Sequence, residues 1–436
     1  MRTSCYAALG LALTLGVAGV AFGQGERTSL TGTVTDDSQA MVVDASVTVR
    51  DTATNVTTKT TTNSAGLYFI TSLPPGDYNL AVSKPGFQTS TVEHIPLTLT
   101  LVATINVMLH VGSVSQTVAV TANAVQLESQ SSALQSTFTT RTIEDLPNIG
   151  GSPLAYSALA PNVIPTTGQQ GLGNAVIGSA TTSQMGGGLA QQNGYLVDGA
   201  ESRGTNENGT AYAVPLEAVS EVRVDTTTYS AEFGRAIGGI TQVATKSGTD
   251  QFHGAGWEFV RSGDLNANSW QNDRNSIAIA PFQFNRFGGN IGGPIKRNKL
   301  FFFFNYEGSR QGGPAQVLGT VPTDAEKAGN YSQTLDAKGE QDIVYDPLTT
   351  SGNATAGYTR APFPGDIIPA SRFNTIAQNV LKFYPEPNRA GQGPADIDNY
   401  FLTGKSITNT DNYLGRIDYY INSKNRIYGR YGFTPF

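Results

Sequence analysis

The chain has 436 residues, 34 Asp and Glu against 28 Lys and Arg, a formal net charge of −6, 49 glycines and one cysteine. The acidic balance without a basic run argues against nucleic-acid binding, and a single thiol, Cys5, excludes a disulfide framework and a CxxC zinc site. With 18 Tyr and 20 Phe against 2 Trp, the glycine-rich, aromatic-rich composition fits an all-β exported protein.

Arg2 precedes an uncharged apolar run, Leu9 to Phe22, and Ala21-Phe22-Gly23 places small residues where a signal peptidase reads. Residues 1–23 are therefore predicted to be a secretory signal peptide cut before Gln24, a retained anchor being the alternative. Lipidation at Cys5 is not expected, because almost no apolar region precedes it, and the mature chain then has no cysteine nucleophile. No later apolar run reaches about 18 residues, which excludes a helical inner-membrane protein. A soluble exported protein and an outer-membrane barrel remain, since barrel strands are too short to show as hydropathy peaks.

From Leu30 to Leu109 short strands alternate with turns. Val47 and Val49 share one face of ASVTVRD, Tyr78, Leu80 and Val82 alternate inward, and Ile105, Val107 and Leu109 close the run. Asn63 to Gly66 and Pro74-Pro75-Gly76-Asp77 are turn chemistry. The spacing predicts a seven-strand sandwich of about 85 residues. GTVTD, ASVTV and TTTNSAGLYFITSLPPGDYNLAVSKPGF resemble the carboxypeptidase regulatory-like domain. The resemblance implies a transthyretin-like β-sandwich over residues 24–112, no peptidase activity, and carbohydrate binding only as a family association.

A linker, residues 113–125, holds QTVAVTA, Gln116 to Ala122. Val118 and Val120 fall on one side of an extended chain, and Thr117, Ala119 and Thr121 on the other. It is either the last strand of the preceding domain or a strand meant for a partner.

Within residues 126–250, RTIEDLPN is predicted to begin a helix before Pro147, and Gly168 to Gly188 to form a long flexible loop. Tyr195 to Val197 is a short strand ending in Asp198-Gly199, Pro215 to Val219 a helical turn, and Glu221 to Asp225 an alternating strand. Gly238-Gly239 leads into another strand that ends at Thr245, glycine permitting close backbone approach. YLVDGA, PLEAVSEVRV and YSAEFGRAIGGITQVATKSGT resemble, in order and spacing, the plug domain of TonB-dependent outer-membrane receptors. The resemblance implies an α+β plug filling a barrel lumen. It also implies that Gln116, Thr117, Val118, Ala119, Val120, Thr121 and Ala122 form a TonB box, which pairs as an added strand with the periplasmic energy-coupling protein TonB. Asp198 is then either a ligand-contacting carboxylate at the plug apex or, with Gly199, an Asp-Gly turn. Arg223 and Arg235 either pair with barrel-wall carboxylates or touch substrate; Gly238 and Gly239 complete the plug motif.

Residues 251–436 read as the start of a barrel. FHGAGWEFVRS places Ala255, Trp257 and Phe259 on one side. A hairpin spans 284–310, turning between Gly293-Pro294 and Asn298-Lys299, and a second spans 412–433, turning at Asn422 to Asn425. Between them a long external loop, about 310–410, is expected. VPTDAEKAGNYS, IVYDP, PGDIIPASRFN and YPEPN resemble the Oar-like subgroup of these receptors, whose sandwich–plug–barrel order the chain shares. Such a barrel needs about 22 strands, whereas five are predicted, so the chain is expected to be a receptor fragment or the product of a truncated gene. Phe436 resembles an aromatic barrel terminus, but Pro435 disfavours a strand there.

Catalysis finds no footing. His94, His110 and His253 are far apart, HExxH, GxSxG, GxxxxGK[ST] and GxGxxG are absent, and no cofactor is implied. Asp342 and Asp346 suggest calcium only without an EF-hand pattern, and solvated loop charges are the expectation. The fold class expected is mainly β: sandwich, α+β plug, and first strands of a transmembrane antiparallel barrel. The expected function is TonB-driven import of an unidentified extracellular nutrient across a Gram-negative outer membrane, with TonB and outer-membrane lipid as partners. The alternative is an exported surface-binding or adhesion protein, glycan-binding through the sandwich, or a non-transporting relic.

Overall fold

The computed structural model describes residues 28–99, 102–112, 117–121, 132–148, 150–165, 183–204, 210–231, 233–268, 270–274, 279, 281–354, 357–423 and 425–435; the predicted signal peptide lies outside them. The chain divides into two compact units, Met1–Phe259 with Arg286–Ser309 and Thr410–Phe436, and Val260–Asn285 with Arg310–Asn409.

The first unit opens with nine strands: β1 (Thr28–Asp36), β2 (Ser46–Asp51), β3 (Thr57–Thr61), β4 (Leu67–Leu73), β5 (Gly76–Ser83), β6 (Thr89–Leu97), β7 (Val102–Thr104), β8 (Val107–Leu109) and β9 (Thr117–Thr121). They form two sheets. One has the order β4-β1-β7, with β8 also on β1; the other has the order β3-β2-β5-β6-β9. The period-2 pattern drives the packing: Leu30, Val34, Val47, Val49, Tyr78, Leu80 and Val82 all point into one buried core. Gly32 lets β1 run against the β7–β8 connection, because a Cβ there would lie 1.8 Å from the Ile105 carbonyl oxygen.

Two expectations change here. The sandwich has more than seven strands because the closing run breaks at Asn106. The side-chain oxygen of Asn106 accepts the Thr33 N–H at 3.0 Å in place of a backbone partner, so β7 and β8 pair separately with β1. The segment Thr117–Thr121 joins the sandwich too, parallel to β6 from Thr89↔Thr117 to Glu93↔Thr121. Gln116 and Ala122 lie outside the described residues.

The middle of the chain contributes β10 (Leu134–Thr139), β11 (Val163–Pro165), β12 (Ser183–Met185), β13 (Gly194–Val197), β14 (Ala200–Glu201), β15 (Val219–Thr227) and β16 (Ile240–Thr245). Five form one sheet, β10-β15-β16-β13-β14, and β11 pairs with β12. The predicted helix runs Thr140–Asp145, and a 3-10 turn occupies Leu216–Ala218. Of the predicted Gly-rich loop, residues 168–182 lie outside the described residues, whereas Ser183–Met185 is a strand. Strand β15, expected as an alternating strand over Glu221 to Asp225, is buried on both faces there. Val222 and Val224 enter a core with Phe138, Tyr156 and Tyr195, while Glu221, Arg223 and Asp225, alternating with them, are also buried.

The remaining strands are β17 (His253–Ser262), β18 (Gln283–Lys296), β19 (Leu300–Gly319), β20 (Ser351–Asn353), β21 (Gly357–Thr359), β22 (Tyr400–Tyr420) and β23 (Arg426–Phe433). A five-stranded sheet has the order β17-β18-β19-β22-β23, and β20 pairs with β21. Phe301, Phe303, Asn305, Asn412, Leu414, Arg416 and Asp418 are buried on one face. Phe304, Tyr413, Ile417, Tyr419, Ile427, Tyr431 and Phe433 are exposed. This is the apolar-out, polar-in alternation of a membrane barrel wall. The first hairpin turns only at 297–299, because Gly293 and Pro294 remain inside β18. The long connection spans 320–399 rather than 310–410, since β19 and β22 have 20 and 21 residues and a barrel strand needs only about 10 to cross the bilayer.

Within the second unit, Thr323 and Glu326 cap the helix Asp324–Lys327 reciprocally. Asp346 takes the guanidinium of Arg372 at 2.9 Å and the Leu348 N–H at 2.9 Å, so this carboxylate is occupied in shaping its loop. Among the described residues no cluster of His, Cys, Asp and Glu is arranged to hold a metal.

Candidate functional site

Asp198 and Gly199 close the β13–β14 hairpin with φ of +50° and +78°. Positive φ at both central residues is the geometry for which Asp-Gly is selected. The side chain has a further task. Its carboxylate accepts the Thr245 N–H at 2.7 Å and the Thr245 hydroxyl at 2.8 Å. It meets two wall arginines, Arg416 Nη1 at 3.1 Å and Arg430 Nε at 2.7 Å. Asp198 is 1 % exposed and Arg416 2 %. Arg416 also donates to the Thr245 carbonyl at 2.9 Å and pairs with Asp418 at 3.0 Å, and Asp418 takes Arg426 at 2.6 Å. The Tyr428 hydroxyl donates to the Asp198 carbonyl, and its ring lies 5.0 Å from the Arg416 guanidinium. Arg416 and Arg430 face each other in register, a few residues from the 421–425 turn. Asp198 therefore sits near the turn that joins β22 and β23.

A second clamp centres on Arg286 of β18, which is buried. It reaches Glu217 at 3.3 Å and Glu307 of β19 at 3.2 Å, with its guanidinium 4.5 Å from the centre of the Phe259 ring. Gly151 makes room for it, since a Cβ there would lie 2.2 Å from Arg286 Nη1.

Arg223 and Arg235, expected to pair with wall carboxylates or touch substrate, both meet carboxylates of the same middle stretch of chain. Arg223 turns back along its own strand to Asp225 at 2.9 Å and donates to the Leu99 carbonyl at 2.8 Å. Arg235, largely exposed, meets Glu201 at 3.3 Å. The middle domain supplies the acids Asp198 and Glu217, and the wall supplies the arginines. Gly238 and Gly239 serve close approach: a Cβ on Gly238 would lie 2.2 Å from Asn193 Oδ1, and one on Gly239 2.7 Å from Met185.

Leu99, beyond β6, brings sandwich backbone onto β15. Its N–H donates to Glu221 at 2.8 Å and its carbonyl accepts from Arg223. Burial pushes the Glu221 carboxyl up to about 7, against the smaller opposing pull of the Leu99 N–H and Arg223. The folded pKa exceeds the unfolded one. The stability this group contributes is therefore complete below about pH 4.5 and lost as pH rises through about 7. Thermal unfolding in detergent is expected to show falling stability from pH 5 to pH 8, on the order of 2–3 kcal/mol. Glu221→Gln should reduce that slope; an unchanged slope would assign it to other groups.

Sequence reasoning missed Arg286, Arg416, Arg430, Glu217 and Leu99. A signal existed for Arg416: in NYLGRIDYY, Leu414, Arg416 and Asp418 share the face opposite Tyr413, Ile417 and Tyr419, so charge pointed into the lumen. Nothing local marked Leu99.

Residues 244–435 match the outer membrane beta barrel domain family, and residues 29–110 the carboxypeptidase regulatory-like domain family. The TonB-dependent transporter Oar of Myxococcus xanthus is 28% identical over 292 residues, covering 64% of this chain and 26% of that protein. The chain thus spans about a quarter of that curated relative's length. Among solved structures, the outer membrane transporter YddB from Escherichia coli is similar at 13% identity and a TM-score of 0.36, over 66% of this chain and 31% of its own. The siderophore receptor PirA from Acinetobacter baumannii is similar at 18% identity and a TM-score of 0.31, over 66% and 45%.

Proposed function

We propose, from its similarity to the TonB-dependent transporter Oar and to the outer membrane beta barrel and carboxypeptidase regulatory-like domain families, that this chain carries the sandwich, plug and first wall strands of a TonB-dependent outer-membrane transporter of the Oar-like kind, importing an extracellular nutrient with energy from TonB. Its place is the Gram-negative outer membrane. Residues 126–250 act as the plug, held against the wall until TonB takes the segment Gln116–Ala122.

The observation that carries this reading is the pinning of the Asp198 hairpin by Arg416 and Arg430. A plug that must be released needs contacts that hold firmly while dry and weaken when wet. Ion pairs behave so, because water restores the hydration that their burial removed. The ligand binds on the long-connection side, and traction on the segment before β10 then disturbs the sheet it leads into.

The test uses the receptor with a complete barrel. Deleting Thr117–Ala122 is expected to abolish energised uptake by whole cells while surface binding of the same ligand stays intact. Uptake that continues unchanged would sink the assignment of this segment.

A further inference from the structure

The segment Thr117–Thr121 is a strand of the sandwich. It lies parallel on β6 at the margin of the sheet β3-β2-β5-β6-β9, and its other edge meets no strand among the described residues. The two margins of this sheet differ in sequence. Strand β3, TTKTT, carries Lys59 at its centre, whereas TVAVT carries no charge and no proline. Charge and proline are the usual protection of a strand edge against pairing with another chain. One margin is guarded and the other bare.

We propose that this bare margin is the docking edge for TonB, with the sandwich as its scaffold: the segment stays on β6, and a strand of TonB's periplasmic domain adds to the far edge of β9, extending the sandwich sheet by one strand. The inference rests on the reading of Gln116–Ala122 as the TonB-binding segment and adds what holds that segment during capture. A free segment must lose backbone freedom when it pairs, about 1–2 kcal/mol per residue. A segment seated on β6 has lost it already, so association is tighter for the same backbone hydrogen bonds. The carboxypeptidase regulatory-like domain thereby gains a role that needs no catalytic residue.

Thr91 and Ala119 are paired across β6 and β9, and neighbouring strands bring Cα atoms within disulfide reach. The full chain carrying Thr91→Cys and Ala119→Cys, in detergent micelles, is titrated with TonB's periplasmic domain, oxidised and then reduced. The oxidised form is expected to bind within about two-fold of the reduced form. Hydrogen exchange on the unmodified chain gives an independent reading. Adding TonB should raise protection at 117–121 and leave that at 89–93 unchanged. Ten-fold weaker binding when oxidised, restored by reductant, or lost protection at 89–93, would show that the segment must leave the sandwich, and overturn the proposal. Deletion of Thr117–Thr121 separates the two readings. Unchanged TonB affinity after deletion overturns the TonB-binding segment itself. Lost affinity after deletion, together with loss in the oxidised form, overturns only its seating on the sandwich.

Discussion

Replacing Asp198 by Ala is expected to cost about 3–5 kcal/mol of stability, because the buried Arg416 and the half-buried Arg430 then face each other without the carboxylate they share, Asp418 remaining beside Arg416. The hairpin also loses two hydrogen bonds to Thr245, and Ala is strained at a φ of +50°. Asp198→Asn separates these effects. It tolerates the turn and keeps one acceptor for Thr245, but removes the charge, so it should show the electrostatic part of the loss alone. Urea unfolding of the detergent-solubilised chain, followed by tyrosine fluorescence, measures both. A ligand-contacting Asp198 would behave otherwise: Asn would leave stability unchanged and lower ligand affinity in the complete receptor.

Arg286→Met should be as severe, again about 3–5 kcal/mol, for the opposite electrostatic reason. Without the guanidinium, the half-buried Glu217 and Glu307 lose the cation they share, and so does the Phe259 ring. The triple change Glu217→Gln, Arg286→Met and Glu307→Gln should recover most of the loss, because an apolar or neutral replacement of a whole buried ionic group is often tolerated. No recovery in the triple variant would mean that packing of the arginine stem against Gly151 and Phe259, rather than charge, holds this place. Asp198 and Arg286 belong to separate clusters, so their effects should add.

The amino-acid sequence by itself determined the order of the parts and the β character of most of them. Period-2 alternation in β2, β5 and β22, and turn residues at Asp198-Gly199 and 421–425, are local properties, written where they act. The tertiary structure decided the partners. Arg223 and Arg235 were legible as charges, but their carboxylates are Asp225 and Glu201 of the same domain. The wall contacts come from Arg416 and Arg430, over 200 residues from Asp198 along the chain. The same holds for Thr117–Thr121, whose strand character is visible in its alternation while its neighbour β6 is not. Likewise the buried Glu221 takes its backbone donor from Leu99, which comes from the sandwich. Alternation reports which side of a strand is apolar. It carries no information on which distant side chain neutralises a buried charge, because that depends on where the chain returns, and only the assembled sheets fix the place.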